Sequence, residues 1–322
     1  MAVGVRDTIV AGGGAAMRVG ILSAGLWRLR HDVARLLDAE PILLGGHLRP
    51  VDAIVGWGFK PTAAHARALA RRNQLPYIAL EDGPLRSVLP SVGASMSYIA
   101  DELGIYYNTA QPSRLEHLIR SGLRVNETLM GRARDCAARM RALRVSKYND
   151  TCPPPHRSSS RDRPPSGKVL VVDQTAGDAS ITGAGGKSSD FAWMLHSALQ
   201  RFGRDNVVVR PHPETLAGRK PGHLVALARD LGVTIADGRY IVWDLLDGFE
   251  NVFTVSSQLG FEALLAGREV TCFATPFYAG WGVTRDEATV PRGASTVEEL
   301  TAAMMLLYPR YLDAVSYTHL RA

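Results

Sequence analysis

Short apolar runs alternate along the chain with stretches whose apolar positions recur at helical spacing. "RVGILSA" from Arg18 and "AIVGWG" from Ala53 read as buried parallel strands. "PTAAHARALARRNQL" reads as the helix after the second, and "PYIALEDG" as another strand with its loop. Such strand–helix alternation implies a doubly wound parallel sheet. "SRLEHLIRSG" and "NETLMGRARDCAARMRALRVSK" then continue in helical register, with Leu129, Ala133, Cys136, Ala137, Met140 and Leu143 on one face.

The pattern breaks at "NDTCPPPHRSSSRDRPPSG", Asn149 to Gly167, which holds five prolines and three consecutive serines. That composition cannot build a packed element and reads as a linker. Alternation restarts with "KVLVVDQ", "SSDFAWMLHSALQRF", "NVVVRPHPE", "HLVALARDLG", "NVFTV", "SQLGFEALLAG" and "EVTCFATP". The expected division is therefore a first α/β domain over 1–150, a linker over 151–167 and a second α/β domain over 168–314. The last eight residues, 315–322, break the preceding pattern and read as a non-native tail.

A chain of 322 residues, 46% hydrophobic and 21% charged, is long enough for two ordinary domains. Its net charge of +6 and pI of about 9.4 favour an anionic partner: a nucleotide, a phosphorylated lipid or nucleic acid. Nucleic acid is set aside because no aromatic–basic stacking motif accompanies the basic residues. The segment Arg114–Lys147 carries nine Arg/Lys against three Asp/Glu, either a solvated helix face or one drawn to anionic lipid head groups. Cys136, Cys152 and Cys272 lack metal-ligand or disulfide spacing and suit a reducing cytoplasm. No apolar run approaches the roughly 18 residues of a membrane span. Arg6, Asp7 and Arg18 interrupt the N-terminal apolar residues, so no clear signal peptide is expected, and Met17 is an alternative start.

Open α/β sheets bind ligands at the carboxyl ends of their strands, and four loops there concentrate polar residues. "QTAGDASITGAGG" sets Asp178 in a Gly-rich segment, as a turn cap or as chemistry. "RPHPE" holds Arg210, His212 and Glu214. In "SSQLGFE", Ser256 or Ser257 caps a helix whose N-terminus can take a phosphate. "LEDGPLRS" carries Glu81, Asp82 and Arg86. Glu262 stands among Phe261, Ala263, Leu264 and Leu265, where burying a carboxylate costs several kcal/mol unless it is paired.

In order, "LEDGPLRSV", "GIYYN…PSRLE", "GDAS", "RPHPE", "SSQLGFEALLAG" and "PFYAGWGVTRD" resemble the KpsC-type capsule polysaccharide proteins, cytoplasmic β-Kdo transferases of Gram-negative capsule assembly. The resemblance runs from Trp57 to Leu312. It implies a GT-B-like fold, two Rossmann-type domains facing a cleft, with CMP-Kdo as donor. It also implies a lysophosphatidylglycerol or phosphatidylglycerol acceptor at the inner-membrane surface, where the enzyme sits peripherally, possible capsule assembly partners, and no cofactor or metal. Full-length members carry two such modules in tandem, so this chain is expected to be one module, either a fragment or a single-module relative.

Residue by residue, the resemblance makes Asp178 the nucleophile of a retaining double displacement and His212 the donor to the departing phosphate. Gln174, Ser180, Arg210, Pro213, Ser256, Ser257 and Glu262 become donor-binding residues, with Glu262 buried because the nucleotide's ribose is its partner. Glu81, Asp82, Arg86, Tyr278 and Trp281 become acceptor- or sugar-binding. Pro84 and Asn108 depart from the family pattern, and both bear on the acceptor side. Two other readings share parts of these features: a transferase or epimerase using a UDP-sugar, and a non-catalytic module that binds nucleotide or lipid within an assembly complex.

Overall fold

The computed structural model describes residues 16–45, 49–87, 95–149, 164–237, 240–287 and 292–312, with the backbone of 319–320. Most of the Pro/Ser-rich linker, including Cys152, and most of the 315–322 tail lie outside the described residues.

The first domain carries β1 (Met17–Ile21), β2 (Ala39–Leu43), β3 (Ala53–Trp57), β4 (Tyr77–Asp82) and β5 (Ser97–Asp101). The second carries β6 (Val169–Val172), β7 (Val207–Arg210), β8 (Thr234–Ile235), β9 (Asn251–Thr254), β10 (Glu269–Cys272) and β11 (Arg285–Asp286). Two further strands follow, β12 (Pro309–Leu312) and the two-residue β13 (His319–Leu320). The second sheet runs β11-β10-β9-β6-β7-β8, with every neighbour parallel. This is the order of a dinucleotide-binding fold, whose crevice opens where the strand order reverses, between β6 and β9.

The apolar runs follow from burial on both faces of this sheet. Val169, Val171, Val207, Val209 and Phe253 pack on one side against Phe191, Met194, Leu195 and Ala198 of helix Ser188–Phe202. Leu170, Val172, Val208 and Val252 face the other side, against Trp243, Leu245 and Phe261. Successive strand side chains point to opposite faces, so a strand covered on both sides must be apolar throughout.

The first sheet, in the order β13-β12-β5-β4-β3-β1-β2, departs from the all-parallel expectation. β5 is antiparallel to β4, and β12 is antiparallel to β5. Residues 309–312, expected in the second domain, thus return to the first sheet. A buried polar lock accounts for this: Tyr308 donates to Asp101 Oδ2 at 2.6 Å. Asp101 Oδ1 meanwhile accepts from the N–H groups of Leu103 and Gly104 at 2.9 Å. Sheet membership of such a late strand depends on this long-range contact, which local alternation does not encode.

The two domains are clasped by the segment after helix Glu127–Ala142. Trp243 Nε1 donates to the Val145 carbonyl at 3.0 Å, and Gln258 Nε2 to that of Pro84 at 3.0 Å. Gly183 sits so close to Tyr107 that a Cβ would lie 2.4 Å from the tyrosine carbonyl oxygen. Part of the basic face serves this junction, with Arg141 reaching Asp247 and Arg144 reaching Asp244, each at 3.0 Å.

Candidate active site

At the end of β6, the carboxylate of buried Asp173 accepts the main-chain N–H groups of Gln174, His223 and Leu224 at 2.9, 3.0 and 3.1 Å. This fixes the loop that presents Gln174. Gln174 Oε1 accepts from Ser256 N at 3.0 Å, while its Nε2 donates to Ser256 Oγ at 3.1 Å and to Ser180 Oγ at 3.2 Å. The loops after β6 and β9 are thus tied across the reversal point of the sheet. Of the serine pair, Ser257 is the helix cap, its Oγ accepting from Leu259 N at 3.3 Å. Ser256 is left to the polar cluster with Gln174.

Asp178 caps the short helix Ala179–Gly183, Oδ1 accepting from Ser180 N at 2.9 Å. Its Oδ2 enters none of the described hydrogen bonds, and the residue lines the cleft. Capping and chemistry are therefore compatible: one oxygen orients the carboxylate and the other has no described hydrogen bond.

His212 caps helix Pro213–Leu216, where Pro213 occupies the first helical position. His212 Nδ1 accepts from Glu214 N at 3.1 Å. Burial pulls its pKa down to about 4, so the ring is neutral near pH 7 and carries its proton on Nε2. It is a donor without a full charge. Glu214 is bound by Arg219 at 2.7 Å.

Arg210, the last residue of β7, is buried, and burial lowers its pKa against the opposing pull of Glu262. Its Nη1 is buried without a hydrogen-bond partner among the described residues, and a buried donor left unmade is costly. Glu262 is only 4% exposed. Burial raises its pKa to about 7, opposed by the Lys147 N–H, the Lys147 charge and Arg210. Its Oε1 accepts from Lys147 N at 3.1 Å. The buried carboxylate thus has a protein partner of its own, which revises the expectation that the ligand alone explains its burial.

The facing wall belongs to the first domain. Glu81 is buried, which raises its pKa against Lys60, whose Nζ lies 3.0 Å from Glu81 Oε1. Asp82 also lines the cleft, and its carboxylate holds Arg86 Nε at 2.8 Å. Arg86, expected to meet an anionic group, is thereby committed to Asp82 and lies off the lining.

Tyr278 and Trp281 require correction as sugar contacts, because both are buried in the core. Tyr278 hydrogen-bonds the Ser257 carbonyl, and Trp281 Nε1 donates to the Phe277 carbonyl at 2.9 Å. The aromatic loop "PFYAGWG" is therefore the seat beneath helix Gln258–Leu265.

Glu81, Asp82, Gln174, Asp178, Ser180, Arg210, His212, Pro213, Ser256, Ser257 and Glu262 line one cleft of about 630 Å³, together with Lys60, Tyr106, Tyr107 and Lys147. That volume suits a drug- or nucleotide-sized ligand. Sequence reasoning missed Lys60 and Lys147. Lys147 was one of nine basic residues in a helical reading; its signal was its place past the helix end, beyond the left-handed Arg144 at φ 57°.

A family model described as "Capsule polysaccharide biosynthesis protein" matches residues 52–151 and 156–312. Capsule polysaccharide modification protein LipA of Neisseria meningitidis serogroup A is 37% identical over 303 residues, 91% of this chain and 43% of that protein. Lipopolysaccharide-processing protein LpsZ of Rhizobium meliloti is 38% identical over 269 residues, 80% of this chain and 59% of that protein. The chain thus spans about half the length of these curated relatives. Among solved structures, the KpsC beta Kdo 2,4 transferase of Thermosulfurimonas dismutans superposes with a TM-score of 0.86 at 37% identity, covering 95% of each chain. The beta Kdo 2,7 transferase of the same KpsC, at 22% identity and a TM-score of 0.66, shares the fold. The GT-B-like arrangement of two Rossmann-type domains and the family match over most of its length agree: the chain belongs to the capsule polysaccharide biosynthesis protein family.

Proposed function

We propose that this chain is a retaining β-Kdo transferase module that takes Kdo from CMP-Kdo and places it on an anionic glycerophospholipid-borne acceptor. It works at the cytoplasmic surface of the inner membrane, alongside capsule assembly proteins. The observation that carries the reading is Asp178: one carboxylate oxygen is fixed as a helix cap, the other enters no described hydrogen bond, and the residue lines a cleft that also holds buried Arg210 and neutral His212.

In the first step Asp178 Oδ2 forms a bond to the anomeric carbon, and the bond from that carbon to the phosphate oxygen breaks with its electron pair on CMP. His212 Nε2–H and Arg210 stabilise the departing phosphate. In the second step the acceptor hydroxyl oxygen bonds to the anomeric carbon, the bond to Asp178 breaks, and the hydroxyl proton passes to Glu81. Two inversions leave the configuration retained. Charge is balanced by protein cations and donors, so this reading calls for no metal or cofactor. Glu262 and the Ser256–Gln174 cluster receive the nucleoside.

The test is incubation with CMP-Kdo without acceptor, followed by peptide mass spectrometry, and then with lysophosphatidylglycerol bearing one Kdo. The expected result is a Kdo adduct on the Asp178 peptide and a lengthened glycolipid. Selective binding of UDP over CMP would replace the donor, and CMP binding without adduct or product would leave a binding module.

A further inference from the structure

The cations of the cleft differ in what surrounds them. Lys60 is paired with Glu81 at 3.0 Å, Arg210 is buried with its Nη1 lacking a hydrogen-bond partner among the described residues and feels the charge of Glu262, and Lys220 is exposed near Glu214. Lys147 differs. It lines the cleft, and its Nζ enters no described ion pair or hydrogen bond; the described side-chain contact is the Tyr148 ring, 5.7 Å from the centroid. Burial works against its charge, yet Tyr106, Tyr148, Asp178 and Asp82 around it hold its pKa above the ordinary lysine value. Glu81, Glu262 and His212 also feel that charge.

We infer that Lys147 binds the carboxylate of the transferred sugar, an assignment that rests on the CMP-Kdo reading above. In that donor the anomeric carbon bears both a carboxylate and the phosphoester. A carboxylate nucleophile must therefore approach a carbon flanked by two anions. Arg210 and His212 serve the phosphate. The second anion needs its own cation, and Lys147 lines the same cleft as Asp178, feels its charge and has no described ion pair or hydrogen bond at Nζ. A compact ammonium suits one carboxylate presented at close range. The same residue is held by both domains through its main chain, N–H to Glu262 Oε1 at 3.1 Å and carbonyl from Arg86 N at 3.2 Å. Side-chain substitution leaves that clasp in place.

An oxyanion at Lys147 has three sources: the sugar carboxylate, the donor phosphate and the acceptor phosphate. CMP binding by calorimetry and transfer rates from fresh CMP-Kdo and from its carboxylate methyl ester separate them. In Lys147→Met, kcat/KM for CMP-Kdo should fall by about 100-fold or more, while the Kd for CMP stays within about threefold. Lys147→Arg should recover part of the rate. The wild type should discriminate against the methyl ester, and Lys147→Met should not. Wild-type transfer from the ester as fast as from CMP-Kdo overturns the assignment without any variant. CMP binding lost in parallel with transfer also overturns it, moving Lys147 to the phosphate. A wild type that binds no CMP refutes the donor reading itself, which is a separate result.

Discussion

The Oε1 atom of Glu262 accepts the main-chain N–H of Lys147 at 3.1 Å, so a carboxylate in the second-domain wall of the cleft is bonded to the segment that joins the two domains. That segment in turn receives Arg86 N from the first domain at 3.2 Å. The clasp and the site share one residue pair. A ligand that changes the charge state of Glu262 therefore acts on the domain junction as well.

The pH dependence of stability follows from this pair. Burial raises the Glu262 pKa from 4.5 to about 7. The folded state then holds a proton that the unfolded chain releases between those values. This contribution is fully present below about pH 4.5 and is lost as pH rises through about 7. Glutamine keeps an acceptor for the Lys147 N–H but cannot titrate. Relative to wild type, Glu262→Gln should gain up to about 3 kcal/mol between about pH 4.5 and pH 8, whatever its offset at the acid end. Urea unfolding at both limits measures the change. A constant difference across that range would show that the carboxylate does not titrate there.

His212 titrates with the opposite sign. Its folded pKa lies near 4, below the ordinary 6.5, so the stability it contributes is present above about pH 6.5 and lost as pH falls through about 4. Its imidazole stays neutral through the physiological range, and any acidic limb it gives to transfer should lie below about pH 5, well away from 6.5. His212→Asn retains a capping acceptor for Glu214 N but lacks the Nε2 donor. It should keep its fold and lose about 100-fold in kcat. Circular dichroism and a pH–rate profile read the two effects separately, and a profile breaking near pH 6.5 would assign the limb to an unburied ring.

Much of the second domain was legible because β6, β7 and β9 are covered on both faces, which forces unbroken apolar runs such as Val169–Val172. The loops after those strands were legible for a related reason: residues such as Asp178 and His212 have no packing role that would place them there. Tyr278 and Trp281 misled because a buried aromatic seat and a sugar platform use the same residue types. Lys147 and the return of β12 were hidden, since each depends on contacts far away in sequence, between Lys147 and Glu262 and between Tyr308 and Asp101.

The glycine in "SQLGFE" follows from that aromatic seat. A Cβ on Gly260 would stand 2.2 Å from Tyr278 Oη and 2.9 Å from Thr254 Cγ2. Gly260→Ala should therefore destabilise by about 1–3 kcal/mol through overpacking, despite alanine's better helix propensity. Removing the hydroxyl in Tyr278→Phe relieves the closest contact. The double variant should be less damaged than the sum of the single changes, by about 0.5 kcal/mol or more. Strict additivity in thermal unfolding would mean that the helix shifts away from the tyrosine instead.

Asp178 makes capping and catalysis separable. Asn retains an oxygen for Ser180 N, now bonded at 2.9 Å to Asp178 Oδ1, but supplies no carboxylate to attack the anomeric carbon. Asp178→Asn should keep the wild-type unfolding midpoint and a CMP Kd within about threefold, while transfer falls by at least about 10³-fold. Asp178→Ala loses the cap as well and should unfold about 1 kcal/mol more easily. If Asn and Ala were equally unstable, the cap would be the weaker part of the assignment. If Asn transferred sugar at the wild-type rate, the nucleophile would have to lie elsewhere on the cleft wall, with Glu81 and Asp82 the next carboxylates to replace.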